Sequence, residues 1–111
     1  MMQSVFATGL AALTLSAGQA APVGVVTEFR VPTPTSQPAG VVAGPDGAVW
    51  FTEFTGNKIG RITPSGAITE FPLPTPGSGP AGIAAGPDDN LWFTEQFGNK
   101  IGRITLEEDQ N

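Results

Sequence analysis

The chain of 111 residues contains no cysteine and no histidine. Without cysteine there is no disulfide stapling and no thiolate nucleophile; without histidine, Ser/His catalysis and most transition-metal sites are excluded within the chain. Charge is scarce too. Only 14% of residues are charged, five Lys/Arg stand against ten Asp/Glu, and no basic cluster occurs. The chain therefore lacks the electrostatic footprint that phosphate backbones require, and nucleic acid is not an expected partner. Its apolar stretch near the N-terminus, residues 5–15, is too short for a membrane-spanning helix. Carboxylates are the main reactive groups left.

Turn formers are abundant: 15 Gly and 11 Pro, without the Ala/Glu/Lys/Leu mixture that sustains helices. The expected class is all-β. Residues 1–20, MMQSVFATGLAALTLSAGQA, stand apart: they carry no charged side chain, and the apolar stretch is followed by the small residues Ala17, Gly18 and Ala20. That is the layout of a secretory signal peptide cleaved after Ala20, although its first residues lack Lys or Arg. The expected location is therefore periplasmic or extracellular. About 90 residues would remain, one small domain that buries little more than ~60% of its unfolded surface.

The chain then writes one phrase twice, WFTEFTGNKIGRIT at residues 50–63 and WFTEQFGNKIGRIT at residues 92–105. Aligning Pro38 with Pro80 sets an offset of 42, at which residues 26–63 overlie residues 68–105 with 26 of 38 pairs identical. A period of this size matches four-stranded propeller blades and not leucine-rich, ankyrin or tetratricopeptide repeats. Within one period, turn residues separate strand a (residues 40–44), strand b (48–53), strand c (58–63) and strand d (67–71). A b–c loop over residues 54–57 sets a register with Glu53 opposite Lys58, Phe51 opposite Gly60 and Trp50 opposite Arg61. That register predicts a rim ion pair, an aromatic filling the gap at a glycine, and a guanidinium over an indole.

Residues 25–29 align with strand d, and the d strand expected after Thr105 is replaced by an acidic tail, residues 106–111, so the strands read d-abcd-abc. Two blades cannot close a ring, and each end blade would expose a face bearing Trp, Phe and Ile. The chain is thus expected to be a fragment of a larger propeller, or an oligomeric unit that self-associates through its blade faces and N-terminal strand.

The stretch PAGIAAGPDDNLWFTEQFGNKIGRIT, residues 80–105, preceded by ITEFPLPTPGSG, resembles the repeats of the virginiamycin B lyase (streptogramin B lyase) family. More loosely it is similar to NHL-type propeller repeats. The resemblance covers nearly everything from residue 25 to residue 105. It implies a seven-bladed propeller that opens a small cyclic peptide antibiotic, streptogramin B, by elimination across its ester bond. The reaction it implies is carbon–oxygen lysis with a magnesium ion and an active-site histidine: the ion polarises the ester carbonyl and the base removes the adjacent proton. No residue here can inherit the histidine's role.

Glu53 and Glu95 end strand b beside a loop and are the candidate metal ligands by residue type, set against ion pairs with Lys58 and Lys100. Asp46, Asp88 and Asp89 lie in turns and are expected to bond local amides. Trp50 and Trp92 read as blade packing, and Glu28 and Glu70 as solvent-facing. Gly40 and Gly82 fit either backbone approach to a ligand or tight packing near the axis. The functional expectation is a partial lyase-like propeller protein without activity as an isolated chain. The alternative is a non-catalytic secreted propeller that binds a partner or acts as a scaffold. A calcium-dependent lactonase-like propeller would need clustered acidic ligands, which the sequence does not show.

Overall fold

A computed structural model describes residues 23–106. The expected export signal, residues 1–20, and the acidic side chains Glu107, Glu108 and Asp109 lie outside the described residues. The chain divides into two compact units, residues 1–30 and 31–111. In the described part of the first unit, residues 23–30, no strand forms, so residues 25–29 enter no ladder. A single extended segment has no hydrogen-bonding partner to fix it.

Among the described residues of the second unit, every regular element is an antiparallel strand. Strands β1 (Pro38–Ala43), β2 (Val49–Glu53), β3 (Lys58–Ile62) and β4 (Ile68–Pro72) form a four-stranded sheet in chain order. Strands β5 (Pro80–Ala85), β6 (Leu91–Glu95) and β7 (Lys100–Ile104) form a second sheet of three. The register is the one the b–c loop length predicts: Trp50 opposite Arg61, Phe51 opposite Gly60 and Glu53 opposite Lys58. The second sheet repeats it with Trp92–Arg103, Phe93–Gly102 and Glu95–Lys100.

Glycine at position 60 is required by close approach, since a Cβ there would lie 2.1 Å from the Phe51 ring. The phenyl ring fills the space that a side chain on β3 would otherwise take. Arg61 sits 5.8 Å from the centre of the Trp50 indole, and Arg103 5.4 Å from that of Trp92. A carboxylate completes each pair. Asp46 accepts bonds from the Trp50 indole N–H at 3.1 Å and from Arg61 Nε at 2.9 Å, as well as from the Ala48 amide.

β1 leaves its ladder between Pro38 and Val41. Proline has no N–H to give, and the freed Gly40 N–H is taken by Thr52 Oγ1 at 2.8 Å. The same hydroxyl donates to Ala81 O on β5 at 2.9 Å and so ties the two sheets together. Next to it, a Cβ on Gly40 would stand 2.5 Å from Ala81 O. Tight strand packing therefore accounts for Gly40.

Comparing positions 42 apart reveals which face of each sheet is covered. Trp50 and Ile59 are 3% and 0% exposed, whereas their counterparts Trp92 and Ile101 are 36% and 66% exposed. On the opposite face the order reverses: Leu91 is fully buried while Val49 is 39% exposed. Trp50, Ile59, Ala48, Leu91 and Phe93 form one cluster between the sheets, with Val42, Leu73 and Ile83 packed against it. Phe51 and Phe93 are both buried, each over the glycine of its own sheet. The end faces therefore expose Val41 and Val49 on one side and Trp92 and Ile101 on the other.

The connections entering β1 and β5 differ in strain. Both need left-handed backbone at two positions, supplied by Gly77 and Gly79 before β5 but by Thr35 (φ 51°) and Gln37 (φ 55°) before β1. A β-branched residue in this region is costly, by about 1–2 kcal/mol. Thr35→Gly is expected to raise stability by about 1 kcal/mol after the greater freedom of glycine in the unfolded chain is subtracted. Urea denaturation measures this, and a destabilised variant would show that the threonine is not strained.

Candidate functional site

The repeated carboxylates sit at the end of the sheets that carries the b–c loops. Glu53 is the last residue of β2, opposite both Pro38 and Lys58. It is fully buried, and neither of its carboxylate oxygens has a hydrogen-bond partner. The loop closes over it: Asn57 N–H bonds to Glu53 O at 2.8 Å, and a Cβ on Gly56 would lie 3.1 Å from Glu53 Oε1.

The expected ion pair with Lys58 does not form. Lys58 turns instead to Thr33 Oγ1 at 2.7 Å and to Glu70 Oε1 at 3.7 Å. Thr33 donates its hydroxyl and its amide to the Glu70 carboxylate, so Glu70 is a partnered side chain and not the free solvent-facing one expected. The reason is reach and solvation. The outer strand offers Lys58 a carboxylate that still reaches solvent, whereas meeting the fully buried Glu53 would require burying the ammonium. Lys100 likewise donates to Thr75 Oγ1 at 2.8 Å, and no Glu95–Lys100 ion pair forms.

Left without a cation, Glu53 holds its proton to higher pH than an exposed carboxyl does. Burial raises its pKa first and the adjacent Glu70 raises it further, to about 7, against a smaller opposing pull from Lys58. Burial also acts to raise Glu70, but Glu53, Thr33 and Lys58 together outweigh it and hold Glu70 below its ordinary value. Glu95 is 7% exposed, and its Oε1 has no partner.

These carboxylates do not compose a magnesium site. Glu53 and Glu95 stand on different sheets, and no group of three or more acidic side chains gathers among the described residues. Magnesium demands an octahedron of oxygens and keeps several waters, which a fully buried, partly protonated carboxyl beside a lysine cannot offer. The turn aspartates act locally, though on more than amides. Asp88 accepts from the Trp92 indole and from Asn90, which hold its pKa down to about 2. Asp46 stays below its ordinary value because bonds from Trp50, Arg61 and Ala48 overcome the effect of partial burial.

Asn57 is the residue that sequence reasoning missed. Held in left-handed backbone at φ 60°, it reaches from the first sheet's loop across to the connection leading into β5. Its Nδ2 donates to Thr75 O at 2.9 Å, and its Oδ1 accepts from Ser78 N at 3.0 Å and from Ser78 Oγ at 2.7 Å. The signal was available, because asparagine at 57 and 99 and serine at 36 and 78 are kept at the same offset.

A model of the virginiamycin B lyase family matches residues 11–110. The chain belongs to that family. A virginiamycin B lyase of Bacillus licheniformis is 51% identical over 37 residues, 33% of this chain and 12% of that one. Two crystal structures of the Staphylococcus aureus virginiamycin B lyase are similar at 58% identity and a TM-score of 0.72, one of them a catalytically inactive histidine-to-alanine variant with quinupristin. A streptogramin B lyase structure is similar at 51% identity and a TM-score of 0.73, over 75% of this chain. The two sheets are thus propeller blades of a virginiamycin B lyase-like protein. The chain spans 28% of the length of each of these structures. Among the described residues, no helix of this family member is long and apolar enough to cross a membrane.

Proposed function

We propose that this virginiamycin B lyase-like chain supplies two blades of propeller framework and has no lyase activity by itself. The observation that carries this reading is the absence of histidine from all 111 residues. A Staphylococcus aureus relative with one histidine replaced by alanine is described as catalytically inactive. Elimination across an ester needs a base with a pKa near neutrality, placed at the proton it removes. Glu53 has the pKa but not the access, because it is fully buried beneath its loop. Magnesium, implied by the family, belongs in this reading to blades other than these two.

The alternative is a secreted non-catalytic binding or scaffold propeller, consistent with carboxylates that are buried and out of a ligand's reach. Export in either case rests on residues 1–20. The test is linearisation of quinupristin by the purified chain with added magnesium. No turnover above the protein-free blank is expected, and turnover by the isolated chain would refute the reading. Further 42-residue units with a histidine in the adjoining reading frame would assign these blades to a complete lyase.

A further inference from the structure

We propose that residues 34–37 form a pH-operated flap over the Glu53 carboxyl, closed on the b–c loop while that carboxyl is protonated and lifted from it when the carboxyl ionises. The flap does not depend on whether the chain has lyase activity.

Its two ends are fixed. Thr33 is anchored to Glu70 and Lys58, and Pro38 starts β1 opposite Glu53. Between these anchors the flap closes on the b–c loop through backbone bonds from Phe54 N–H to Gln37 O at 3.0 Å, from Thr55 N–H to Ser36 O at 3.0 Å and from Gly56 N–H to Ser36 O at 3.1 Å. The Thr55 hydroxyl bonds the Gln37 side chain as well. This closed shape strains the backbone. Ser36 lies between Thr35 and Gln37, both left-handed, and lifting the flap releases that strain. The equivalent turn before β5 has Gly77 and Gly79 at the same positions, and its Ser78 is held by the Asn57 carbonyl. Only the turn before β1 is both strained and seated on a carboxyl that Glu70 faces.

Glu53 lies beneath the flap with no exposed surface. The Ser36 hydroxyl stands beside it, and Gly56 packs between the two: a Cβ there would lie 3.0 Å from Ser36 Cβ and 3.1 Å from Glu53 Oε1. The charged groups facing Glu53 are Glu70 on β4 and Lys58 on β3. Residues 31–37, β1, the b–c loop, residues 73–79 and β5 carry no charged side chain. Lys58 is already engaged by Thr33 and Glu70, so it compensates a charge on Glu53 only weakly. The neutral carboxyl has a proton to give to the Glu70 carboxylate. The ionised one has none, and the two charges repel. Water relieves an ionised Glu53, and it enters once Ser36 leaves the loop. The sign follows. Closed, the carboxyl titrates at about 7 because of burial and then Glu70, against an ordinary 4.5 once it is solvated. Closure is therefore fully favoured below pH 4.5 and lost as pH rises through 7. Glu70, held below its ordinary value, acts in the opposite sense, but only below pH 4.5.

Amide hydrogen exchange of the whole chain, corrected for the intrinsic pH dependence of exchange, reads the flap directly. Between pH 5 and pH 8 the protection of the Phe54, Thr55 and Gly56 amides is expected to fall roughly 50–100-fold. Low concentrations of urea should leave these three rates unchanged, because lifting the flap exposes little surface. Amides of the β2–β3 ladder exchange through global unfolding, so urea should speed them. Glu53→Gln, which keeps the shape of the neutral carboxyl, is expected to remove the pH dependence of the three amides. Protection in the parent chain that stays level from pH 5 to pH 8 overturns the flap. So do three amides as sensitive to urea as the ladder, and both of these readings need no variant. A Glu53→Gln chain that keeps the parental fall overturns it too.

Discussion

Trp50→Ala is expected to cost the fold about 3–5 kcal/mol, while Trp92→Ala costs about 1–2 kcal/mol. The two tryptophans occupy the same register and keep the same local partners, an aspartate on the indole N–H and an arginine over the ring. They differ in burial: Trp50 is covered by the second sheet and stacks on Phe71 at 5.6 Å, whereas Trp92 faces outward. Against a net stability of about 5–15 kcal/mol for a domain, the first loss brings the chain close to unfolding. Urea denaturation of the purified variants measures both. Equal losses there would show that packing between the sheets is not what Trp50 contributes.

Glu53→Gln is expected to remove most of the loss of stability that the chain undergoes between about pH 5 and pH 8. The folded Glu53 carboxyl titrates near 7 against an ordinary 4.5, because burial and then Glu70 disfavour its charged form. Its contribution is therefore full below pH 4.5 and lost as pH rises through 7, amounting to on the order of 3 kcal/mol. Glu70, with its depressed pKa, acts in the opposite sense: its contribution is present above 4.5 and lost as pH falls through its folded value. Glutamine keeps the shape without the proton, so the variant's stability should stay nearly level across that window. Thermal melts at a series of pH values report it. A slope as steep as that of the parent chain would mean that Glu53 is not the group that titrates.

The register of the sheets was legible in the sequence because few residues set it. A four-residue b–c loop fixes which residues of β2 and β3 stand opposite, and Gly60 beneath Phe51 admits no neighbouring register. The cation over each tryptophan followed from the same pairing. The partners of Lys58, Glu53 and Asn57 did not. Each depends on a residue tens of positions away: Thr33 and Glu70 for the lysine, the closing loop for the glutamate, Thr75 and Ser78 for the asparagine. Pairing opposite charges within one ladder misassigned Glu53, because a ladder drawn on one sheet omits the cost of burying an ammonium.

By itself the sequence determined an all-β chain of two 42-residue units, their strand register, the lack of any histidine base, and the family to which the units are similar. Local turn chemistry and side-chain alternation act over a few residues, and the duplication writes each of these signals twice. Only the tertiary structure decided which of two identical side chains is core and which is surface. Asn57 and Asn99, Thr52 and Thr94 differ in the presence of a neighbouring sheet, and Trp50 and Trp92 also in the fourth strand that carries Phe71, so burial belongs to the packed pair of blades and not to either repeat alone.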